Sequence, residues 1–345
     1  MDMGITGKIA LVCGSSKGLG RGCAEALAAE GVNLVINART TLELEKTAKI
    51  IRETYAVDVK TIACDVTTIE GQTEILHTIG KVDILVTNAG GPPPGTWQDW
   101  GREDFLSALA ANMLAPIMLM KAYLPSMMDQ KWGRIVNITS QSVKAPLANL
   151  GLSNAARTGL TGYVAGTARQ VAPEGVTINN LLPGVHDTDR IVSIDRSVMK
   201  TEGISIDEVK ARRELSIPVG RYGTRDEFGA ACAFLCSQHA GFIVGQKITI
   251  SGASSTNNGD KLIAEVTDDT ILTAPSDDLA DQSAGSAFTI VGKLAATDKW
   301  SLGAFSATTG FPGAICFFEE RLVYGGTTGQ PQTVFFSEAG GFDQF

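Results

Sequence analysis

Residues 9–20 read IALVCGSSKGLG. The first five form an aliphatic, β-prone run. Gly14, Gly18 and Gly20 then break it, and a helical pattern follows over residues 21–30. A strand that passes through a glycine-rich turn into a helix gathers backbone amides and the positive end of the helix dipole at one spot. Glycines let the chain turn tightly there and let a pyrophosphate approach the amides. Glycine triplets alone are common; placement between a strand and a helix makes this one specific. Gly14, Ser16, Lys17, Gly18, Leu19 and Gly20 are therefore read as a dinucleotide-binding turn.

Outward from this turn, strand-like segments recur at residues 33–37, 59–64, 83–88, 133–139, 176–183 and 247–251. Helical patterns lie between them at 41–55, 69–78, 103–129, 153–172 and 225–237. Such alternation implies parallel strands joined by right-handed crossovers. Residues 1–252 are expected to form an α/β unit, a doubly wound parallel sheet of the Rossmann kind. After residue 252 the pattern changes. STNNGD is rich in turn formers, and KLIAEVTDDTILTA reads as a β-hairpin with an acidic turn. SAFTIVG, GAICFFEERLVYGG and QTVFFSE are strand-like and no helical pattern appears. Residues 253–345 are thus expected to be an appended β-rich C-terminal segment.

Charge places the boundary at the same point. The chain carries a net charge of −8, and the whole acidic excess lies beyond residue 250; the first 250 residues balance. A net acidic chain is a poor partner for nucleic acid or an anionic membrane. The N-terminus lacks the basic and apolar regions of a targeting signal. The most apolar stretch, residues 113–120, is read as too short to cross a bilayer and contains Pro116. The six cysteines show no metal-ligand spacing, and Cys232 and Cys236 read as core thiols on one helix. No metal is expected, and the compartment is read as reducing and cytoplasmic.

Strand ends supply the chemistry. Folds that select NAD usually place an acidic residue at the end of the second strand, on the ribose 2′-hydroxyl. Here the segment is NLVINART, with Arg39 at that point and Lys17 in the glycine turn. Two cations favour the 2′-phosphate of NADP(H). Asp65 and Val66 follow the third strand, where Asp65 suits the adenine amino group. TNAGG, residues 87–91, follows the fourth. The small residues Ala89 and Gly90 let the chain pass close to a cofactor, and Asn88 can tie neighbouring strands.

These elements, with Asn112, GRIVNITS ending at Ser140, NNLLPG ending at Gly184 and IPVGRYGTRDE before the last helix, resemble the short-chain dehydrogenase/reductase family near its 3-oxoacyl-carrier-protein reductase type. The resemblance covers residues 5–252. It implies hydride transfer between a nicotinamide and a small carbonyl or alcohol substrate. It also implies a homodimer or homotetramer built on the fourth and fifth helices. Pro183, Gly184 and Thr188 fall where the family lines its cofactor. Ser140 falls on the family serine that polarises the substrate oxygen, and Asn112 on the residue that supports a water relay.

The family next places a Tyr with a Lys four residues on. This chain reads SNAAR, with Ser153 and Arg157 at those positions. A serine hydroxyl is a far weaker acid than a tyrosine beside an ammonium, and its side chain is shorter. Arg157 can hold the nicotinamide ribose or supply positive charge beside a developing alkoxide, but it is too basic to carry the proton. His186, in the loop after Gly184, is the remaining titratable candidate for proton donor. Two functions are therefore kept: a hydride-transferring oxidoreductase with a modified proton-transfer site, and a cofactor-binding pseudoenzyme. A third concerns the end of the chain. GFPGAICFFEERLVYGGTTGQPQTVFFSEAGGFDQF resembles part of phage tail structural proteins, which implies a fragment of a tail module fused to a reductase domain.

Overall fold

A computed structural model describes residues 2–251 and, beyond them, five short strands between residues 263 and 336. The chain divides into two compact units, Met1–Gly259 and Asp260–Phe345.

In the first unit, β1 (Ile9–Val12), β2 (Asn33–Ala38), β3 (Val59–Ala63), β4 (Ile84–Thr87), β5 (Gly133–Ile138), β6 (Val176–Pro183) and β7 (Lys247–Ile250) form one sheet. Its order is β3-β2-β1-β4-β5-β6-β7, and every pairing is parallel. Alternate side chains of a strand face opposite layers. Accordingly Ala10 and Val12 join one buried cluster, and Leu11 and Cys13 join the other. Near-continuous aliphatic strands are what a sheet covered on both faces requires.

The helices are α1 (Gly18–Ala29), α2 (Thr41–Thr54), α3 (Ile69–Thr78), α4 (Arg102–Leu109), α5 (Ala115–Asp129), α6 (Gly151–Val171), α7 (Asp189–Glu202), α8 (Ile206–Leu215) and α9 (Arg225–Cys236). Cys23, Ala24 and Leu27 of α1, Leu44 and Ile51 of α2, and Phe228 and Cys232 of α9 pack in the first cluster. Ile75 of α3, Met120 and Tyr123 of α5, and Leu160 and Val164 of α6 pack in the second. The strand order reverses between β1 and β4. In open parallel sheets the ligand crevice lies outside the carboxyl ends of the strands at such a point.

Two stretches differ from the sequence reading. The single helix expected at 103–129 is interrupted by a π turn, Ala110–Leu114, where the Ala115 N–H donates to the Ala110 carbonyl five residues back. Pro116 explains it, since it has no N–H for the Asn112 carbonyl four residues earlier and its ring crowds that carbonyl. The run Arg102–Asp129 is also long and apolar enough to cross a membrane, which the reading of residues 113–120 missed. Part of that apolar character is core packing, for its own Leu119, Met120, Tyr123 and Met127 are buried. Secondly, residues 187–215, given no element from sequence, contain α7 and α8. Their many charges hid a helical periodicity.

In the second unit, β8 (Ile263–Thr267) pairs antiparallel with β9 (Thr270–Thr273), at the hairpin read from the sequence. β10 (Ala314–Phe318), β11 (Arg321–Gly325) and β12 (Val334–Phe336) form a three-stranded antiparallel sheet in chain order. The predicted strand SAFTIVG lies outside the described residues, as does most of the segment likened to phage tail proteins.

Candidate active site

The glycine turn sits at the carboxyl end of β1. Gly14 has φ +59°, in the left-handed region that favours glycine. Its carbonyl accepts from Asn88 Nδ2 at 3.3 Å, which ties the turn to the loop after β4. Gly20 closes the knot: a Cβ there would lie 2.3 Å from the Gly14 oxygen and 2.9 Å from Asn88 Nδ2. The turn is held from below by Ser15, whose Oγ donates to the Val12 carbonyl at 2.9 Å. Thr47 Oγ1 donates to the Ser16 carbonyl at 2.8 Å. The α1 N-terminus has no side-chain cap and no acidic residue in its first turn, so its amides stay open to an anion. Lys17 precedes α1, and Leu19 packs half-buried against the core.

Arg39 is exposed just past the end of β2. Across from it, Asp65 Oδ1 accepts from the Thr67 amide at 3.0 Å and its hydroxyl at 2.8 Å. Burial pushes the Asp65 carboxyl up, but those two bonds and the Arg39 charge outweigh it and hold it below the usual range. Arg39 and Asp65 thus share one end of the crevice, with Val66 buried behind them.

The remaining candidates lie on the π turn, beyond β5, on α6 and beyond β6. Asn112 is buried at the π turn, its Nδ2 3.4 Å from the carbonyls of Gly90 and Ala108, and its Oδ1 is without a partner. Gly90 follows Ala89 in the same loop as Asn88. Ser140, just beyond β5, has an Oγ that accepts from the Ser142 amide at 3.1 Å and lies 2.9 Å from the Ser142 hydroxyl. Ser153 and Arg157 are one turn apart on α6 and both buried, 5% and 8% exposed. Arg157 Nη1 donates to the Ile138 carbonyl at 2.9 Å, two residues before Ser140. Burial, with a contribution from the Arg190 charge, lowers the Arg157 pKa to about 10.

Past β6, the Gly184 amide donates to the Ile250 carbonyl at 2.8 Å, which fixes the turn after Pro183. Thr188 Oγ1 lies 3.4 Å from the His186 carbonyl, and its methyl is 3.7 Å from the point a Gly18 Cβ would occupy. This brings Thr188 to the glycine turn. The His186 ring is 4% exposed, stands edge-on to Phe228 at 5.2 Å, and closely approaches Gly223. Burial holds its pKa below the ordinary 6.5, against the Gly184 backbone and Glu227, and its Nδ1 has no hydrogen bond.

Sequence reading missed the start of α7. Asp189 Oδ2 lies 2.6 Å from Lys17 Nζ. Arg190 donates to the carbonyls of Gly91 at 3.1 Å and Pro92 at 2.9 Å. A latch holds α7 to α8 behind them: the buried Asp195 carboxylate accepts from Arg213 at 2.7 Å and from the Tyr222 hydroxyl at 2.8 Å. The only signal of these contacts was the position of residues 187–190 after the Pro183–Gly184 turn. Among the described residues, no group of three or more His, Cys, Asp or Glu is placed to hold a metal.

Known proteins resemble this chain in sequence and fold. The short chain dehydrogenase family model matches residues 8–198. The chain is 30% identical over 258 residues to the 3-oxoacyl-acyl-carrier-protein reductase FabG of Aquifex aeolicus (strain VF5), covering 73% of this chain and 99% of that one. Against the FabG of Escherichia coli (strain K12) it is 34% identical over 256 residues, covering 72% and 98%. Its fold is similar to that of L-sorbose reductase from Gluconobacter frateurii complexed with NADPH and L-sorbose. That match has a TM-score of 0.70 at 28% identity, covering 73% of this chain and 98% of that one. It is similar as well to a 3-oxoacyl (acyl-carrier-protein) reductase from Agrobacterium tumefaciens C58 with NADP bound. There the TM-score is 0.66 at 28% identity, with coverage of 73% and 96%. A reversed parallel sheet, a glycine turn tied to Asn88 and a serine beyond β5 make the same case from within: this chain belongs to the short-chain dehydrogenase family.

Proposed function

We propose that the chain is an NADP(H)-dependent oxidoreductase acting on a small carbonyl or alcohol substrate, with Ser153 and Arg157 in place of the family Tyr and Lys. The observation that carries this reading is the open glycine turn tied through Asn88 to the loop that Asn112 reaches. The turn fits a dinucleotide because the first amides of α1 carry no side-chain cap and no acidic neighbour, and Gly14 and Gly18 take the left-handed φ that only glycine adopts freely. Gly14, Ser16, Lys17, Gly18, Leu19 and Gly20 would hold the pyrophosphate end. Arg39 and Asp65 would hold the adenosine and its 2′-phosphate, beside Val66. Asn88, Ala89, Gly90, Pro183, Gly184 and Thr188 would line the nicotinamide half. Bound NADPH supplies the hydride. The NADPH and NADP named with the two reductase structures above support that choice.

The chain's own groups do the rest. Ser140 donates its hydroxyl to the substrate oxygen and polarises the carbonyl, in exchange for its contact with Ser142. The Arg157 charge, buried and therefore weakly screened, stabilises the negative oxygen as it forms. The contacts of Asp189 with Lys17 and of Arg190 with the Gly91 and Pro92 carbonyls bring the start of α7, a lid, to the crevice. Ser153 is a poor general acid, so the alkoxide takes its proton from water and carbonyl reduction is slow by the share that positioned acid catalysis gives, about 10²–10⁴-fold.

One observation favours a second reading, binding without turnover. The His186 ring, the other titratable candidate, is packed against Phe228 and Gly223. NADPH oxidation followed across a panel of aldehydes, ketones and oxo acids separates the two. Turnover lost on Ser140→Ala supports the enzyme; NADPH binding with no turnover on any substrate supports the binder. Exposed Leu106, Leu114 and Met118 on α4, the π turn and α5, together the fourth helix of the sequence reading, support assembly into a homodimer or homotetramer through this run and α6, the fifth. The five cysteines among the described residues are free, which fits a reducing cytoplasm.

A further inference from the structure

Arg157 is the group in the crevice whose environment is least explained by the fold. It is 8% exposed and makes a single hydrogen bond, to the Ile138 carbonyl. No carboxylate among the described residues pairs with it, whereas Arg213, also on the lid side, is matched to Asp195. A buried charge is costly unless it is paired. A second cation, Arg190, acts on the Arg157 charge and is held from α7 to the Gly91 and Pro92 carbonyls. Arg190 likewise has no carboxylate partner among the described residues. Neighbouring Lys17 is taken by Asp189, so the lid supplies a counter-ion to the glycine turn but none to these two guanidinium groups.

The tethers locate the pair. Ile138 ends β5, two residues before Ser140, and Gly91 follows the loop that carries Asn88 and Gly90. Both arginines are therefore anchored to main chain around the point where a substrate carbonyl would meet Ser140. A guanidinium fork suits a planar carboxylate, and two cations without carboxylate partners, tethered on either side of the Ser140 position, suit an anion that neutralises both.

We infer that Arg157 and Arg190 form a receptor for a carboxylate next to the reacting carbon, so that the substrate is a small oxo acid or the matching hydroxy acid. This rests on the oxidoreductase reading above and names its substrate class. Arg157 sits at the floor and fixes the carboxylate beside Ser140. Arg190 arrives with the lid, so binding of the anion and closure of α7 are coupled.

The test is a binding measurement that needs no turnover. Oxamate, an unreactive oxo-acid mimic, and oxamide, its neutral counterpart, are titrated calorimetrically at constant ionic strength. Both are run with and without saturating NADP, and NADP affinity is measured separately by titration. Oxamate is expected to bind, and oxamide at least about thirtyfold more weakly. Arg190→Gln and Arg157→Gln should each weaken oxamate by a similar factor with NADP affinity retained, while Arg157→Lys should lose part of it, because the charge remains but the fork that matches the carboxylate does not. Should Arg157→Gln not fold, Arg190→Gln and Arg157→Lys still decide. Equal binding of oxamate and oxamide, no oxamate binding, or oxamate affinity indifferent to both arginines overturns the inference. So does Arg157→Gln weakening NADP in place of oxamate, which would make Arg157 a ribose ligand. Failure of NADP to bind at all strikes the oxidoreductase reading instead, and the titrations without NADP still judge the arginine pair.

Discussion

Replacing Gly20 with alanine tests whether the glycine turn holds the dinucleotide. The added methyl would stand 2.3 Å from the Gly14 carbonyl oxygen, against about 3.3 Å for a comfortable carbon–oxygen contact. Backbone must therefore move by about 1 Å, because neither Gly14 nor the α1 backbone has a side chain that can swing aside. The nearest relief pushes the Gly14 carbonyl away and strains its bond to Asn88. Overpacking of this size costs about 1–3 kcal/mol. If the displaced amides are those that hold the pyrophosphate, that cost appears in the bound complex, as an affinity loss of about 5- to 150-fold. Fluorescence titration of NADPH against Gly20→Ala and wild type measures it. Gly80→Ala is the control: no atom lies within 4 Å of its Cβ and its φ is ordinary, so stability and affinity should not change. A destabilised Gly20→Ala with wild-type NADPH affinity would refute the reasoning, for the knot would then be structural only.

Arg39→Asp should reverse the cofactor preference, with NADPH weakened about tenfold to a hundredfold, since a charge-assisted hydrogen bond is worth about 1.5–3 kcal/mol; equal NADPH and NADH affinities in the unmodified protein would contradict the assignment. His186 has its pKa lowered by burial, so below its ordinary 6.5 the unfolded chain binds the proton that the folded ring refuses. Stability from this site therefore falls as pH drops through the window beneath 6.5, and His186→Gln should flatten that acid limb in urea midpoints taken across pH. Thr224→Ala should cost about 1 kcal/mol, because it removes the hydroxyl that caps the Glu227 amide at the start of α9; urea denaturation measures it.

Local signals carried most of the fold. β1 and the glycine turn lie within a dozen residues, and the strands read as aliphatic runs because both faces of the sheet are covered. Asn88 was legible as a tie because a small-residue loop leaves it one obvious partner. What was hidden depended on contacts distant in sequence. Arg190 meets Gly91 and Pro92 across almost a hundred residues, and Lys17 meets Asp189 across more. The π turn was invisible because the apolar run continues through it, and only Pro116 marked the place. From sequence His186 reads as a loop histidine and a candidate proton donor. Its burial depends on Phe228, on a helix that returns to the sheet much later in the chain.

The claim at the centre is that this crevice transfers a hydride without the family tyrosine. The direct measurement uses NADPH deuterated at the transferring carbon, incubated with a panel of neutral and anionic carbonyl compounds, with products read by mass spectrometry. The account predicts deuterium on the carbinol carbon of at least one product, abolished in Ser140→Ala and accelerated in the double variant Ser153→Tyr, Arg157→Lys. NADPH bound by the unmodified protein with no deuterium in any product, and none gained in the double variant, would contradict it.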